Sequence, residues 1–162
     1  MGIANVDAAG IVIRRARRED VARIATLIML GAPQQRKSAA EIAAETRDPA
    51  YLAAFTEVDA SPHNTLFVAE QAGEVIGTFQ VTLIPGLAAR GRKRAKFESV
   101  HVAPECRGQG IGAVMIRHAL AFARERGAGL AELTSHNDRR DAHRFYVRLG
   151  FEQSHQGFKI AL

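Results

Sequence analysis

The residues best placed to do chemistry lie in one stretch. It runs Ser99-Val100-His101-Val102-Ala103-Pro104-Glu105-Cys106-Arg107-Gly108-Gln109-Gly110-Ile111-Gly112, and an apolar run follows it to Gly127. The order reads as a strand, a sharp turn, a glycine-rich loop and a helix. Gly108, Gly110 and Gly112 remove side chains where the helix begins, which opens main-chain N–H groups to a ligand. A helix N-terminus attracts anions through those unpaired donors and through its dipole. The stretch therefore predicts a phosphate or diphosphate site. A tight strand–helix connection with no ligand is the alternative reading.

No Lys-Ser/Thr pair closes the loop, so it is not a Walker P-loop. Gly108, Gly110 and Ala113 fit the loose pattern G-x-G-x-x-G/A. In a dinucleotide fold, however, the first glycine follows its strand closely and more strand–helix units come after it. Here Pro104 to Arg107 intervene and too little chain remains. Cys106 lies in the loop, but no neighbouring base that would activate its thiol is readable. His63, His118, His136, His143 and His155 show no metal-ligand spacing.

The elements that must position this stretch follow from periodicity. Ile11 to Arg14 reads as a short strand. Glu19 and Asp20 suit the first turn of a helix, whose face carries Val21, Ile24, Ala25 and Ile28 and which ends at Gly31. Ser38 with Glu41 has capping-box spacing and opens a second helix, interrupted near Asp48-Pro49. Thr65 to Glu70 and Val75 to Leu83 read as a hairpin around Ala72-Gly73, with Val75, Phe79, Val81 and Leu83 on one face. Lys96 to Val102 is the strand entering the glycine loop. On the helix from Ile111, Met115, Ala119 and Phe122 form an apolar stripe that Ile116 and Leu120 widen. Leu130 to Ser135 reads as a strand and Asp138 to Leu149 as a helix. Phe151 to Ser154 and Phe158 to Ala161 read as final strands joined near Gly157. This order gives a mixed α/β sheet.

A chain of 162 residues is one domain's worth, read here as a loose leader over 1–10 and a single domain over 11–162. It carries no bilayer-length apolar run and no signal-peptide layout, so a cytoplasmic location is the default expectation. One cysteine cannot form an internal disulfide. The net charge of +5 fits an anionic cofactor, a soluble basic surface or nucleic acid. The short clusters Arg14 to Arg18 and Arg90 to Arg94 lack the interleaved aromatics of a single-strand binding surface, which argues against nucleic acid.

The glycine stretch resembles the GNAT family of N-acetyltransferases, whose signature Arg/Gln-x-x-Gly-x-Gly/Ala falls on Arg107, Gly110 and Gly112. Gly108 and Gln109 are also typical of that family. Ala142-His143-Arg144-Phe145-Tyr146-Val147-Arg148-Leu149-Gly150-Phe151 resembles its A-x-x-F-Y-x-x-x-G-F segment. The resemblance implies an α/β (α+β) fold, with a mixed, mostly antiparallel sheet of about six to seven strands flanked by helices. It also implies direct acetyl transfer from acetyl-CoA, the cosubstrate, to a primary amine of a small molecule or a protein. Main-chain groups from Arg107 to Gly112, Ile111 included, would hold the coenzyme A diphosphate. His101 and Val102 would bind the pantetheine arm and thioester through their backbone, where their strand splays from the strand at Leu130 to Ser135. Glu98 is the implied general base and Tyr146 the implied donor to the leaving sulfur. An asparagine commonly stands where this chain has Arg139, so either Asn137 or Arg139 itself takes that contact. Homodimers are common among folds of this kind, and neither a metal nor a membrane is implied.

Two magnitudes frame these roles. A lysine-like amine with a pKa near 10.4 is neutral in only about one molecule in two to three thousand at pH 7, a burden of about 4–5 kcal/mol. A phenol lies about 2 kcal/mol uphill of a thiol as a proton donor, so Tyr146 reads as a hydrogen-bond donor to the developing thiolate. Strand alternation sets Glu98 and His101 on opposite faces unless a bulge intervenes. Arg90 to Arg94 would serve an anionic acceptor or the cofactor's 3′-phosphate if that loop lay near the cleft; otherwise it is solvated. The rival reading is a non-catalytic module that binds coenzyme A or docks to nucleic acid.

Overall fold

The hairpin β3 (Asn64–Gln71) and β4 (Glu74–Ile84) sits at the centre of the sheet. Ala72 and Gly73 close it with φ of 51° and 83°, the paired positive values of a turn that matches the strand twist. The computed structural model describes residues 5–6 and 10–162. Around the hairpin lie β1 (Asn5–Val6), β2 (Val12–Arg15), β5 (Lys93–Val102) and β6 (Ala128–Leu133), in the order β1-β2-β3-β4-β5-β6. Every pairing is antiparallel except β5 with β6, which is parallel. The leader expected over 1–10 lies mostly outside the described residues, and Asn5–Val6 within it pairs with Val12 and Ile13.

One face of the sheet packs on α5 (Ile111–Glu125), which buries Ile111, Met115, Ile116, Ala119 and Ala123 against Phe67, Phe79, Val81 and Phe97. Phe67 stacks on Phe79 at 5.0 Å, and Phe122 meets Phe67 edge-on at 5.1 Å. The opposite face receives α1 (Val21–Leu30) and α3 (Pro49–Ala60), with Ile24, Ile28 and Phe55 around Val68 and Leu66. Val75 belongs to this second face rather than to that of Phe79. A register shift between Ala69 and Glu70 turns the strand by one residue there, which corrects the single apolar face expected of β4.

Asp20 does more than complement a helix dipole. Its carboxylate binds the Arg14 guanidinium at 2.7 Å and accepts the Arg17 N–H at 2.7 Å, tying the start of α1 to β2. Burial alone would raise the Asp20 pKa; the bonds from Arg14 and Arg17 hold it below its ordinary value. In α2 (Ala39–Glu45), Ser38 Oγ accepts the Glu41 N–H and Glu41 accepts the Ser38 N–H at 2.7 Å, the reciprocal cap its spacing predicts. Asp48 caps α3 through the Ala50 N–H at 2.8 Å, with Pro49 in the first turn.

The carboxyl end departs from expectation. After α6 (Arg140–Arg148) and Gly150, residues 151–162 form no strand. The strands expected at Phe151 to Ser154 and Phe158 to Ala161 are therefore absent. Their alternating pattern is present, but no neighbouring strand completes a ladder with them.

Candidate active site

Strand β5 reaches Val102, yet its pairing with β6 stops at Phe97 opposite Leu133. On its other side it stays paired with β4 as far as Val102 opposite Gly77. The edge of Glu98 to Val102 that faces away from β4 has no strand partner among the described residues. This is the splay that the resemblance implied.

Beyond β5 the chain turns through Pro104–Cys106 into the glycine loop. The N–H groups of Gly108, Gln109, Gly110, Ile111 and Gly112 meet no acceptor within the described residues. Gly108 and Gly110 have φ of 78° and 82°, and a Cβ on either would meet nothing within 4 Å, so the loop is open on that side. Gly112 serves packing instead: a Cβ there would lie 3.2 Å from Phe145 Cζ. That close approach lets α6 rest on the first turn of α5. Arg107 differs from its neighbours. Its N–H donates to Pro104 O at 3.3 Å and its Nε to Val102 O at 3.2 Å. The row of open donors therefore starts at Gly108, one residue later than expected.

A bulge interrupts β5 midway. Gln80 stands opposite Glu98 and Thr78 opposite His101, so Ser99 and Val100 together face Phe79. Ser99 takes φ of 51° to make the detour. One extra residue inverts the alternation, and Glu98 and His101 come to one face of the sheet, the face of α1. The Glu98 carboxylate lies 3.0 Å from Lys96 Nζ, with its side chain 41% exposed. The His101 ring packs beneath Gly31 at the end of α1, where an added Cβ would fall 1.9 Å from its Nδ1. Burial pushes the His101 pKa down to about 4, and the charges of Arg139 and Arg107 act in the same direction. The imidazole is accordingly neutral at pH 7.

Tyr146 approaches from the other face. Its ring meets Phe145 at 5.1 Å and Phe151 at 5.9 Å, and Phe151 meets Phe97 at 6.3 Å. The Tyr146 hydroxyl has no hydrogen-bond partner among the described residues. Burial raises its pKa while the Arg139 charge opposes the shift. Arg139 stands just before α6, and its charge reaches both Tyr146 and His101. Asn137 lies in the exposed turn preceding it.

Residues 32–151 match the acetyltransferase (GNAT) family. This chain belongs to that family. The GNAT chain is 46% identical over 67 residues to the aminoalkylphosphonate N-acetyltransferase of Salmonella typhimurium, a match covering 41% of this chain and 44% of that one. It is 49% identical over 59 residues to the streptothricin acetyltransferase of Streptomyces lavendulae, covering 36% of this chain and 31% of that one. The chain thus spans less than half the length of these curated relatives. Among solved structures it is similar to a transcriptional regulator from Bacillus halodurans C-125, with a TM-score of 0.85 at 36% identity, covering 94% of this chain and 99% of that one.

Two residues near this candidate site carried no signal in the sequence. Ser135, two positions past β6, buries its Oγ with no hydrogen-bond partner among the described residues. Such a hydroxyl is costly unless something else bonds it. Gly31 read only as a helix stop, and nothing local signals that His101 needs its missing side chain. Conversely, Arg90 to Arg94 stands at the start of β5, about 30 Å along the strand from the glycine loop at 3.3 Å per residue. Arg94 bonds Glu132 at 2.6 Å and Lys93 bonds Arg126 O at 2.8 Å. That placement sets the loop apart from the open donors of Gly108 to Gly112.

Proposed function

We propose that the protein is an acetyl-CoA-dependent N-acetyltransferase acting by direct transfer to a primary amine. The observation that carries this reading is the alignment of open main-chain donors from Gly108 to Gly112 with the unpaired edge of β5. Acetyl-CoA, when bound, supplies the acetyl thioester. The residues present fit it: free N–H groups for a diphosphate, an open strand edge for an amide-bearing arm, and an orphaned Ser135 hydroxyl beside the splay.

The roles divide by face. Gly108, Gln109, Gly110, Ile111 and Gly112 hold the diphosphate through their N–H groups, and Arg107 braces the loop against Val102. His101 and Val102 present backbone groups at the splay. Glu98, from the α1 face, receives the amine's proton, directly or through water. Lys96 Nζ lies 3.0 Å from that carboxylate. Tyr146, from the α5 face, directs a neutral, unpartnered hydroxyl at the leaving sulfur. Arg139, rather than Asn137, adds positive charge beside that hydroxyl. The names of the two curated relatives favour a small-molecule amine as acceptor.

The test combines thermal unfolding with thiol release. Acetyl-CoA raises the melting temperature, as any ligand selective for the folded state does, and an amine panel with acetyl-CoA releases free thiol. A folded protein showing neither effect overturns the reading. A thermal shift without thiol release favours the second reading, a non-catalytic coenzyme A module. The likeness to a transcriptional regulator of Bacillus halodurans and the net charge of +5 support that alternative, including a nucleic-acid partner.

A further inference from the structure

The α1 face of β5 carries two opposite charges that answer only to each other. Lys96 and Glu98 lie two positions apart on one strand and so share that face. Lys96 Nζ meets Glu98 Oε1 at 3.0 Å, and among the described residues this is the one ion pair that either makes. The two side chains are 34% and 41% exposed, so a solute reaches both. A pair this exposed is held weakly, and a ligand can exchange it.

The groups around the pair are already satisfied. On β4, Gln80 stands opposite Glu98 and Thr82 opposite Lys96. Gln80 Nε2 donates to Asn64 Oδ1 and to Thr82 Oγ1, both at 3.2 Å, and Thr82 Oγ1 donates to Asn64 Oδ1 at 2.7 Å. On the other side Glu132 of β6 stands opposite Lys96, but its carboxylate takes the Arg94 guanidinium at 2.6 Å. Past Glu98 the same face carries His101, on which the charges of Arg139 and Arg107 act. Positive charge therefore flanks Glu98 on both sides. No second carboxylate of β5 or β6 is free to meet a cation.

We propose that the acceptor is a short amine that also carries an anion, with its amine on Glu98 and its carboxylate or phosphate group on Lys96. This rests on the N-acetyltransferase reading and narrows the substrate to zwitterions. Binding exchanges partners: the single Lys96–Glu98 pair opens, and two pairs of opposite charge replace it. An amine with an uncharged tail leaves Lys96 without a partner, and a diamine sets a second cation against it. Two residues along a strand span about 7 Å, so the amine and the anion lie within the length of a small amino acid. Glu98 takes one proton from the ammonium. The nitrogen then bonds the acetyl carbon as the carbon–sulfur bond breaks, and the nitrogen's second proton ends on the departing sulfur.

Thiol release from acetyl-CoA tests this with β-alanine, ethanolamine phosphate, putrescine and isoamylamine, the last an uncharged isostere of β-alanine. The parent is expected to favour the better anionic amine over isoamylamine by about tenfold or more in kcat/KM, the scale of one hydrogen bond to a charged group. The order of the two anionic amines tells carboxylate from phosphate. Lys96→Gln is expected to lower that preference about tenfold, chiefly by raising KM for the anionic amine. Lys96→Arg keeps most of it, and Lys96→Glu moves the preference to putrescine. Lys96 is partly exposed, so melting temperatures and their rise with acetyl-CoA are expected to match the parent in all three variants. A parent that prefers isoamylamine or putrescine overturns the proposal. So does a preference that Lys96→Gln leaves unchanged, which makes the lysine a surface ion pair only. In both cases thiol release leaves the N-acetyltransferase reading standing, whereas a folded protein that releases thiol with no amine loses both.

Discussion

Glu98 and His101 share one face of β5 because Ser99 and Val100 together oppose Phe79. The two side chains differ in what surrounds them. Glu98 is half-exposed beside Lys96, whereas His101 is pressed under Gly31 and held neutral. One is solvated, the other buried and uncharged. In the proposed mechanism Glu98 is the base, while the His101 ring fills the space under Gly31 at the end of α1.

Glu98→Gln is expected to lower kcat/KM at pH 7 by about 10²–10⁴-fold. The loss shrinks at alkaline pH, where more of the amine is already neutral. Acetyl-CoA affinity and melting temperature stay near those of the parent, because the carboxylate is exposed and, among the described residues, pairs with Lys96 alone. A pH–rate profile by thiol release checks this. Equal activity at every pH would remove the carboxylate from the mechanism.

Tyr146→Phe keeps the ring contacts with Phe145 and Phe151 and deletes only an unpartnered hydroxyl. The expected result is a fall in kcat with little change in acetyl-CoA affinity or in stability. Calorimetric titration beside steady-state kinetics separates these. If kcat is retained, the hydroxyl has no part in helping the sulfur leave.

Gly31→Ala drives a methyl into the His101 ring, at 1.9 Å from Nδ1. Overpacking of this kind costs about 1–3 kcal/mol unless the ring moves aside. His101→Ala makes room, so the double variant is expected to recover much of the Gly31→Ala loss. Urea unfolding of the four proteins measures that coupling. Additive losses would show that the two residues do not constrain each other.

His101 also makes stability depend on pH. Its pKa in the folded protein, about 4, lies below the ordinary value of 6.5. Unfolding therefore takes up a proton between those values, and stability falls as pH drops through that window. The difference approaches about 3–4 kcal/mol at the acid end. His101→Gln removes this dependence, while His118, whose pKa burial also lowers, remains in both proteins and cancels. Urea midpoints compared between pH 7 and pH 4.5 test it; a wild-type-minus-variant difference that stays constant with pH contradicts the assignment.

Much of the site was legible one residue at a time. The open donors follow from Gly108 and Gly110 at a helix start, and the cap on α2 from Ser38 and Glu41. Other parts were legible only as conditions. The sequence allowed a bulge in β5 without placing it at Ser99, and offered Asn137 and Arg139 for one contact without choosing. Gly31 and Ser135 carried no local signal at all. Their importance lies in what packs over them from elsewhere in the chain.

By itself the amino-acid order determined the glycine loop, the helix caps, the Ala72-Gly73 turn and the apolar stripe of α5. Each is set by dihedral preference, hydrogen bonding or periodicity within about a dozen residues. Only the tertiary structure decided that β5 leaves β6 after Phe97, that Glu98 and His101 face the same way, and that Phe158 to Leu162 pairs with no strand among the described residues. Those outcomes depend on register between segments far apart in sequence. A one-residue shift in that register redirects every side chain beyond it.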